Sequence, residues 1–143
     1  MTTINDLLRD KSSDIWTVGP DESVYDALQL MADKNIGAVL VMDSGRLVGL
    51  LSERDYARKL VLENRSSRET PVRDVMTQRV AYVSPSQEIE GCLALMTDKR
   101  FRHLPVMDND KLVGLVSIGD LVKGVIADKE FMIEQLEQYI TGQ

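Results

Sequence analysis

Residues 15–62 of this chain reappear, shifted by 65 positions and without a gap, as residues 80–127. Pro20 falls on Pro85, Met31 on Met96, and Asp33-Lys34 on Asp98-Lys99. Val41-Met42-Asp43 falls on Val106-Met107-Asp108, and Leu47-Val48-Gly49-Leu50 on Leu112-Val113-Gly114-Leu115. In all, 16 of the 48 aligned positions are identical. A duplication of this kind limits the fold more than composition does. Neither copy of such a unit buries its apolar face alone, and two related halves leave clefts in which small ligands can sit.

Within each copy the apolar period changes in the same order. Residues 15–18 form a short apolar strand ended by Gly19-Pro20. Asp21 or Ser23 then caps a helix in which Val24, Ala27, Leu28 and Met31 recur at helical spacing. Residues 37–42 read as a buried strand, residues 43–46 as a hairpin turn, and residues 47–51 as a second strand. A helix is predicted from Ser52 to about Leu62, with Tyr56, Leu60 and Val61 buried. The second copy repeats this with a strand over 80–83, a helical stripe of Ile89, Cys92, Leu93 and Met96, a hairpin turning at 108–111, and a helix from Ser117. The expected fold is therefore α/β (α+β), two β-α-β-β-α repeats. Its parts are an N-terminal segment 1–14, repeat 1 over 15–63, a polar linker 64–76, repeat 2 over 77–127, and a C-terminal amphipathic helix 128–143. That last helix carries Phe131, Met132, Leu136, Tyr139 and Ile140, a stripe that serves packing on its own domain or a dimer contact equally well.

Charge and composition exclude some functions. A net charge of −6 argues against nucleic acid, whose binding rests on phosphate neutralisation by Lys and Arg. No apolar run approaches the roughly 18 residues of a membrane span. The first residues lack the apolar core of a signal peptide, and Cys92 is the single cysteine, so a reducing, cytoplasmic location is expected. His103 is the single histidine. With no second histidine or cysteine to join it, neither a metal site nor an acid–base pair is expected, and the chain is read as non-enzymatic.

The repeated Gly-apolar-apolar-Ser-x-x-Asp motif stands as Gly49-Leu50-Leu51-Ser52-Glu53-Arg54-Asp55 and as Gly114-Leu115-Val116-Ser117-Ile118-Gly119-Asp120. With Arg102-His103-Leu104-Pro105-Val106 and the stretch TPVRDVMT at 70–77, it resembles the tandem cystathionine-β-synthase (CBS) domain pair, or Bateman module, in its stand-alone form. The resemblance spans residues 15–127. It implies two repeats about a pseudo-two-fold axis, with clefts that bind adenosine-containing ligands such as AMP, ADP, ATP, S-adenosylmethionine or NAD. One cleft would combine Thr17, Ile36, Gly37 and Ala38 with Leu115, Ser117, Gly119 and Asp120. The other would combine Tyr82, Phe101, Arg102 and His103 with Leu50, Ser52, Arg54 and Asp55. The resemblance further implies a regulatory protein, a homodimer and an unidentified protein partner, with ligand binding shifting the population of one conformation.

The residues themselves allow more than one role. A carboxylate can accept both hydroxyls of a ribose, but Ser-x-x-Asp ahead of a helical pattern is also a capping box. Arg54 and Arg102 suit phosphate through their planar forks, helped by amides at the start of the helix after Ser52, and are otherwise surface arginines. Gly37 and Ala38 let a flat ring approach the backbone, or else serve close packing. Trp16, which falls on Ala81, fills the interface between copies or a dimer contact. The competing function is an interaction or dimerisation module whose clefts are vestigial.

Overall fold

The computed structural model describes residues 2–10 and 15–141. In chain order the elements are α1 (Ile4–Asp10), β1 (Thr17–Val18), α2 (Val24–Lys34), β2 (Ala38–Asp43), β3 (Arg46–Ser52), α3 (Glu53–Tyr56) running into a π-helical turn (Ala57–Val61), a 3-10 turn (Val72–Asp74), α4 (Ile89–Lys99), β4 (His103–Asp108), β5 (Lys111–Ser117) and α5 (Ile118–Thr141). They fall into two compact units. One is Ile15–Ala81; the other joins Tyr82–Gln143 to the start of the chain.

In the first-copy unit β1 pairs parallel with β2, and β2 antiparallel with β3. The turn between β2 and β3 places Ser44 and Gly45 at positive φ (51° and 81°), the tight mirror-image turn that matches strand twist. Ser23 caps α2 by accepting from the Asp26 amide at 3.1 Å, and Asn35 ends it in the left-handed region. Val24, Ala27 and Met31 pack on Val39, Val41 and Leu51, as the helical and strand periods require. Trp16 is half-buried, and the Lys34 ammonium lies 4.2 Å from its ring centroid.

The second-copy unit repeats the hairpin, with Asn109 and Asp110 at positive φ and a bulge at the matching place, between Val106 and Met107. Ile89, Cys92 and Met96 of α4 are buried, as are Leu104, Val106 and Val116 of the hairpin. Three expectations are corrected. The strand expected over 80–83 is a single parallel bridge from Val83 to Val106. Pro105 stands where Leu40 stands in the other copy, and with no N–H it cannot extend the pairing toward Ala81. Val61 is 53% exposed instead of buried, because the wider i→i+5 winding after Tyr56 brings Leu60 onto the core side and turns Val61 outward. Finally, the helix after Ser117 and the C-terminal helix are one continuous element of 24 residues, α5.

Each unit also receives a leader segment, and the two leaders dock alike. In the first unit Val24 N–H donates to Thr70 O, Val72 N–H to Glu22 O and Arg73 N–H to Pro20 O, at 2.8–2.9 Å. In the second unit Ile89 N–H donates to Thr2 O, Ile4 N–H to Gln87 O and Asn5 N–H to Pro85 O, at 2.8–3.1 Å. The segment read as a linker thus contributes Val72 and Val75 to the core beneath α2, and the chain's start contributes fully buried Ile4 beneath α4. The leader preceding each copy in sequence completes the other one.

Candidate functional site

Each unit gathers half of the sequence-predicted residues at one end of its hairpin. In the first unit Ala38 pairs with Ser52 at that end, and the Glu53 amide donates to Gly37 O at 3.1 Å. Ile36 and Leu50 are half-buried there, Arg54 and Gly37 are exposed, and Thr17 is exposed on β1 two registers away. In the second unit His103 pairs with Ser117, and the Ile118 amide donates to Arg102 O at 2.9 Å. Phe101, His103 and Leu115 are half-buried; Arg102, Gly119 and Tyr82 are exposed. The two sets that the resemblance pairs come from different units.

Both Ser-x-x-Asp turns are capping boxes. Asp55 N–H donates to Ser52 Oγ at 3.1 Å, while Asp55 Oδ2 accepts from Ser52 N–H and Oγ–H, each at 3.0 Å. Asp55 Oδ1 takes the Lys59 ammonium at 3.3 Å and the Thr77 hydroxyl at 3.4 Å. Lys59 reaches on to Val75 O at 3.1 Å, tying the helix start to the docked leader. In the second unit Ser117 N–H donates to Asp120 Oδ2 at 2.8 Å and Asp120 N–H to Ser117 Oγ at 3.1 Å. The capping role weighed in the sequence is therefore realised twice. The cap takes the Asp55 amide and Gly37 O takes the Glu53 amide, two of those expected to face a phosphate, while the Arg54 side chain stands exposed at that turn.

The motif glycines have a role that sequence reasoning missed. A Cβ on Gly49 would stand 2.5 Å from Met76 Sδ and 3.0 Å from Thr77 O; one on Gly114 would stand 2.6 Å from Leu8 Cδ2. In both units the missing side chain admits the leader against the outer strand. The matched signal was present in Thr2 through Leu8 against Thr70 through Met76, but this alignment shifts by 68 and shares only Thr2 with Thr70 and Asp6 with Asp74.

Elsewhere, burial raises the Cys92 thiol above its ordinary value, so it stays protonated in the core at neutral pH. No group of three potential metal ligands occurs among the described residues. Among those residues, too, no helix is long and apolar enough to cross a membrane.

Duplicated hairpins with a leader under each helix and a capped Ser-x-x-Asp turn at each hairpin end define a tandem CBS domain pair, and the chain belongs to that family: the CBS domain model matches residues 4–62 and 72–127. A CBS-domain protein of Burkholderia ambifaria, assigned to signal transduction, has a solved structure that superposes with a TM-score of 0.86 at 55% identity, covering 89% of this chain and 96% of that one. The mitochondrial CBS domain-containing protein CBSX3 of Arabidopsis thaliana is 38% identical over 99% of this chain and 73% of its own length. YhcV of Bacillus subtilis, another CBS domain-containing protein, is 33% identical over 85% of this chain and 84% of its own.

Proposed function

We propose that this chain is a non-enzymatic regulatory protein whose ligand is an adenosine-containing compound, of the AMP, ADP, ATP or NAD class. The observation that carries the reading is the composition of the hairpin ends. Each holds an anchored carboxylate, Asp55 or Asp120, and the exposed arginines at these ends, Arg54 and Arg102, are the two that the resemblance groups with Asp55. Ribose hydroxyls need an acceptor and phosphate needs a bidentate cation, and these are the two chemistries offered. Asp55 Oδ1 holds its Lys59 and Thr77 partners at 3.3–3.4 Å, long enough for a hydroxyl at an ordinary 2.7 Å to compete with Thr77 for a lone pair. The signal-transduction assignment of the Burkholderia relative supports a regulatory role. A chain with one histidine and one cysteine offers little for acid–base or covalent catalysis.

Thermal melts with AMP, ADP, ATP, NAD and S-adenosylmethionine test this. A true ligand at a hundredfold excess over its dissociation constant adds about 2.7 kcal/mol of stability. Arg54→Ala should abolish most of that gain while leaving the ligand-free melt unchanged, since the Arg54 residue is exposed and the substitution keeps the backbone carbonyl that accepts from Ala57 N–H. A second reading, an interaction module with vestigial clefts, is favoured by the exposed apolar face of α5. A flat response to all five compounds selects it.

A further inference from the structure

In the first-copy unit, three stretches of chain meet at one carboxylate oxygen. The capping box occupies Asp55 Oδ2, which leaves Oδ1 for other donors. Oδ1 takes the Lys59 ammonium at 3.3 Å and the Thr77 hydroxyl at 3.4 Å. Lys59 stands four residues after Asp55, on the same helical face, and also donates to Val75 O at 3.1 Å. Asp55 therefore holds the end of the leader twice, through Thr77 directly and through Lys59 to Val75. The backbone closes the circuit: Thr77 N–H donates to Leu50 O at 2.8 Å, and Leu50 N–H to Thr77 O at 3.0 Å. Gly124 stands at the place of Lys59 in the second copy, so an ammonium at this position belongs to the first copy alone.

We propose that Asp55, Lys59 and Thr77 form a latch on the leader, and that a ligand opens it by taking Asp55 Oδ1. This rests on the adenosine-ligand reading above and says how occupancy leaves the site. A carboxylate oxygen offers two lone pairs, and both are engaged. With the Asp55 side chain only 15% exposed, an incoming hydroxyl gains Oδ1 by displacing a donor already there. Thr77 is the one that leaves, because a neutral hydroxyl at 3.4 Å is held more weakly than an ammonium at 3.3 Å. Lys59 stays on the carboxylate and keeps it in place for the ligand. Two states follow. In the latched state the Thr77 side chain is tied to the helix start; in the open state the leader's end is held by Lys59 and the Leu50 pairing alone. Residues 78–81 run on from that end to the second-copy unit, which begins at Tyr82, so the loosened segment is the one that joins the copies. The coupling is reciprocal: what weakens the latch must tighten the ligand.

Amide hydrogen exchange of the full chain tests the latch with and without ligand. In the ligand-free protein, Lys59→Met should speed exchange at the Thr77 amide about fivefold, the change expected from one net hydrogen bond. The Ala27 amide of α2, which bonds Ser23 O in the same unit, should not move, and this separates an opened latch from a weakened fold. AMP, ADP, ATP, NAD and S-adenosylmethionine are then added in turn to the wild type. A compound that raises the melting midpoint should speed exchange at Thr77 about threefold while Ala27 slows or holds. The same compound should bind Thr77→Val about threefold more tightly, because the competing hydroxyl is gone and the side-chain shape is kept. A flat melt with all five compounds removes the ligand reading and the coupling with it. A compound that binds yet leaves the Thr77 amide unmoved or slower, an unmoved Thr77 amide in Lys59→Met, or equal or weaker binding to Thr77→Val would each overturn the latch while the ligand reading stands.

Discussion

At the residue scale the repeated motif reads as a set of local fittings. Ser52 and Asp55 close a capping box, and Lys59 fastens the same carboxylate to the leader. Ser52→Ala should cost about 1 kcal/mol, the usual loss at a helix cap, measured as a lower urea midpoint. Gly49→Ala should cost more than Gly114→Ala. The first meets a backbone carbonyl as well as Met76, while the second meets only the end of a leucine side chain that can turn away. An overpacked site of this kind costs about 1–3 kcal/mol, so the ordering is measurable by denaturation. Two groups contribute a pH dependence to stability. The Thr3 amide, and then its hydroxyl, bond the Asp6 carboxylate and hold it below its ordinary value, so its contribution is present above about pH 4 and is lost as pH falls through the lower folded value. Cys92 is held above its ordinary value by burial; its contribution is complete below about pH 8.5 and fades as pH rises toward the folded value, because the unfolded thiol ionises first. Unfolding midpoints from pH 3 to 10 should fall off at both ends, and Cys92→Ser should blunt the alkaline fall.

At the element scale the two leaders do comparable work by different means. One is a 3-10 turn and the other a helix of seven residues, yet each sends fully buried side chains into the core of its unit, Val72 and Val75 in the first and Ile4 in the second. Truncating Ile4 to Ala should cost about 2–5 kcal/mol, as buried aliphatics do elsewhere. Val72→Ala removes fewer atoms and should cost less. Because Ile4 belongs to the second-copy unit, hydrogen exchange in Ile4→Ala should rise in α4 and β5 before it rises in α2 and β3. The π turn after α3 and the straight run of α5 show the same contrast. The first-copy helix ends at Val61 and the chain turns back to lay down a leader, whereas its counterpart continues for 24 residues and carries an uncovered apolar face.

At the scale of the whole molecule, the units are made of non-adjacent stretches: removing residues 1–14 takes core from the repeat that begins at residue 82. A fragment of residues 82–143 alone should therefore melt lower and less cooperatively than the same repeat in the intact chain, by calorimetry. The acidic balance is unevenly spread as well. The unit of Ile15–Ala81 holds 9 basic and 10 acidic residues, and the remainder of the chain 8 and 13, so five of the six excess negative charges lie with the second copy. Ligand phosphate would meet less repulsion in the first unit, where Arg54 stands.

Local sequence was enough to establish the duplication, the alternation of helix and hairpin, both turns and most of the core, because those features are written in periods of two and 3.6 residues and in side chains that tolerate positive φ. Asp55 and Asp120 could be placed at helix starts for the same reason, since Ser-x-x-Asp is a short-range pattern. Which repeat each leader completes emerged from the folded chain and not before. Those contacts join residues 46–53 apart in the first unit and 80–87 apart in the second, and rest on bulk and backbone bonds that leave almost no identity between Thr2–Leu8 and Thr70–Met76. The room that Gly49 and Gly114 make for those leaders emerged with it. So did the uncovered stripe on α5, because a helical period marks which face is apolar and carries no record of what, if anything, lies against it.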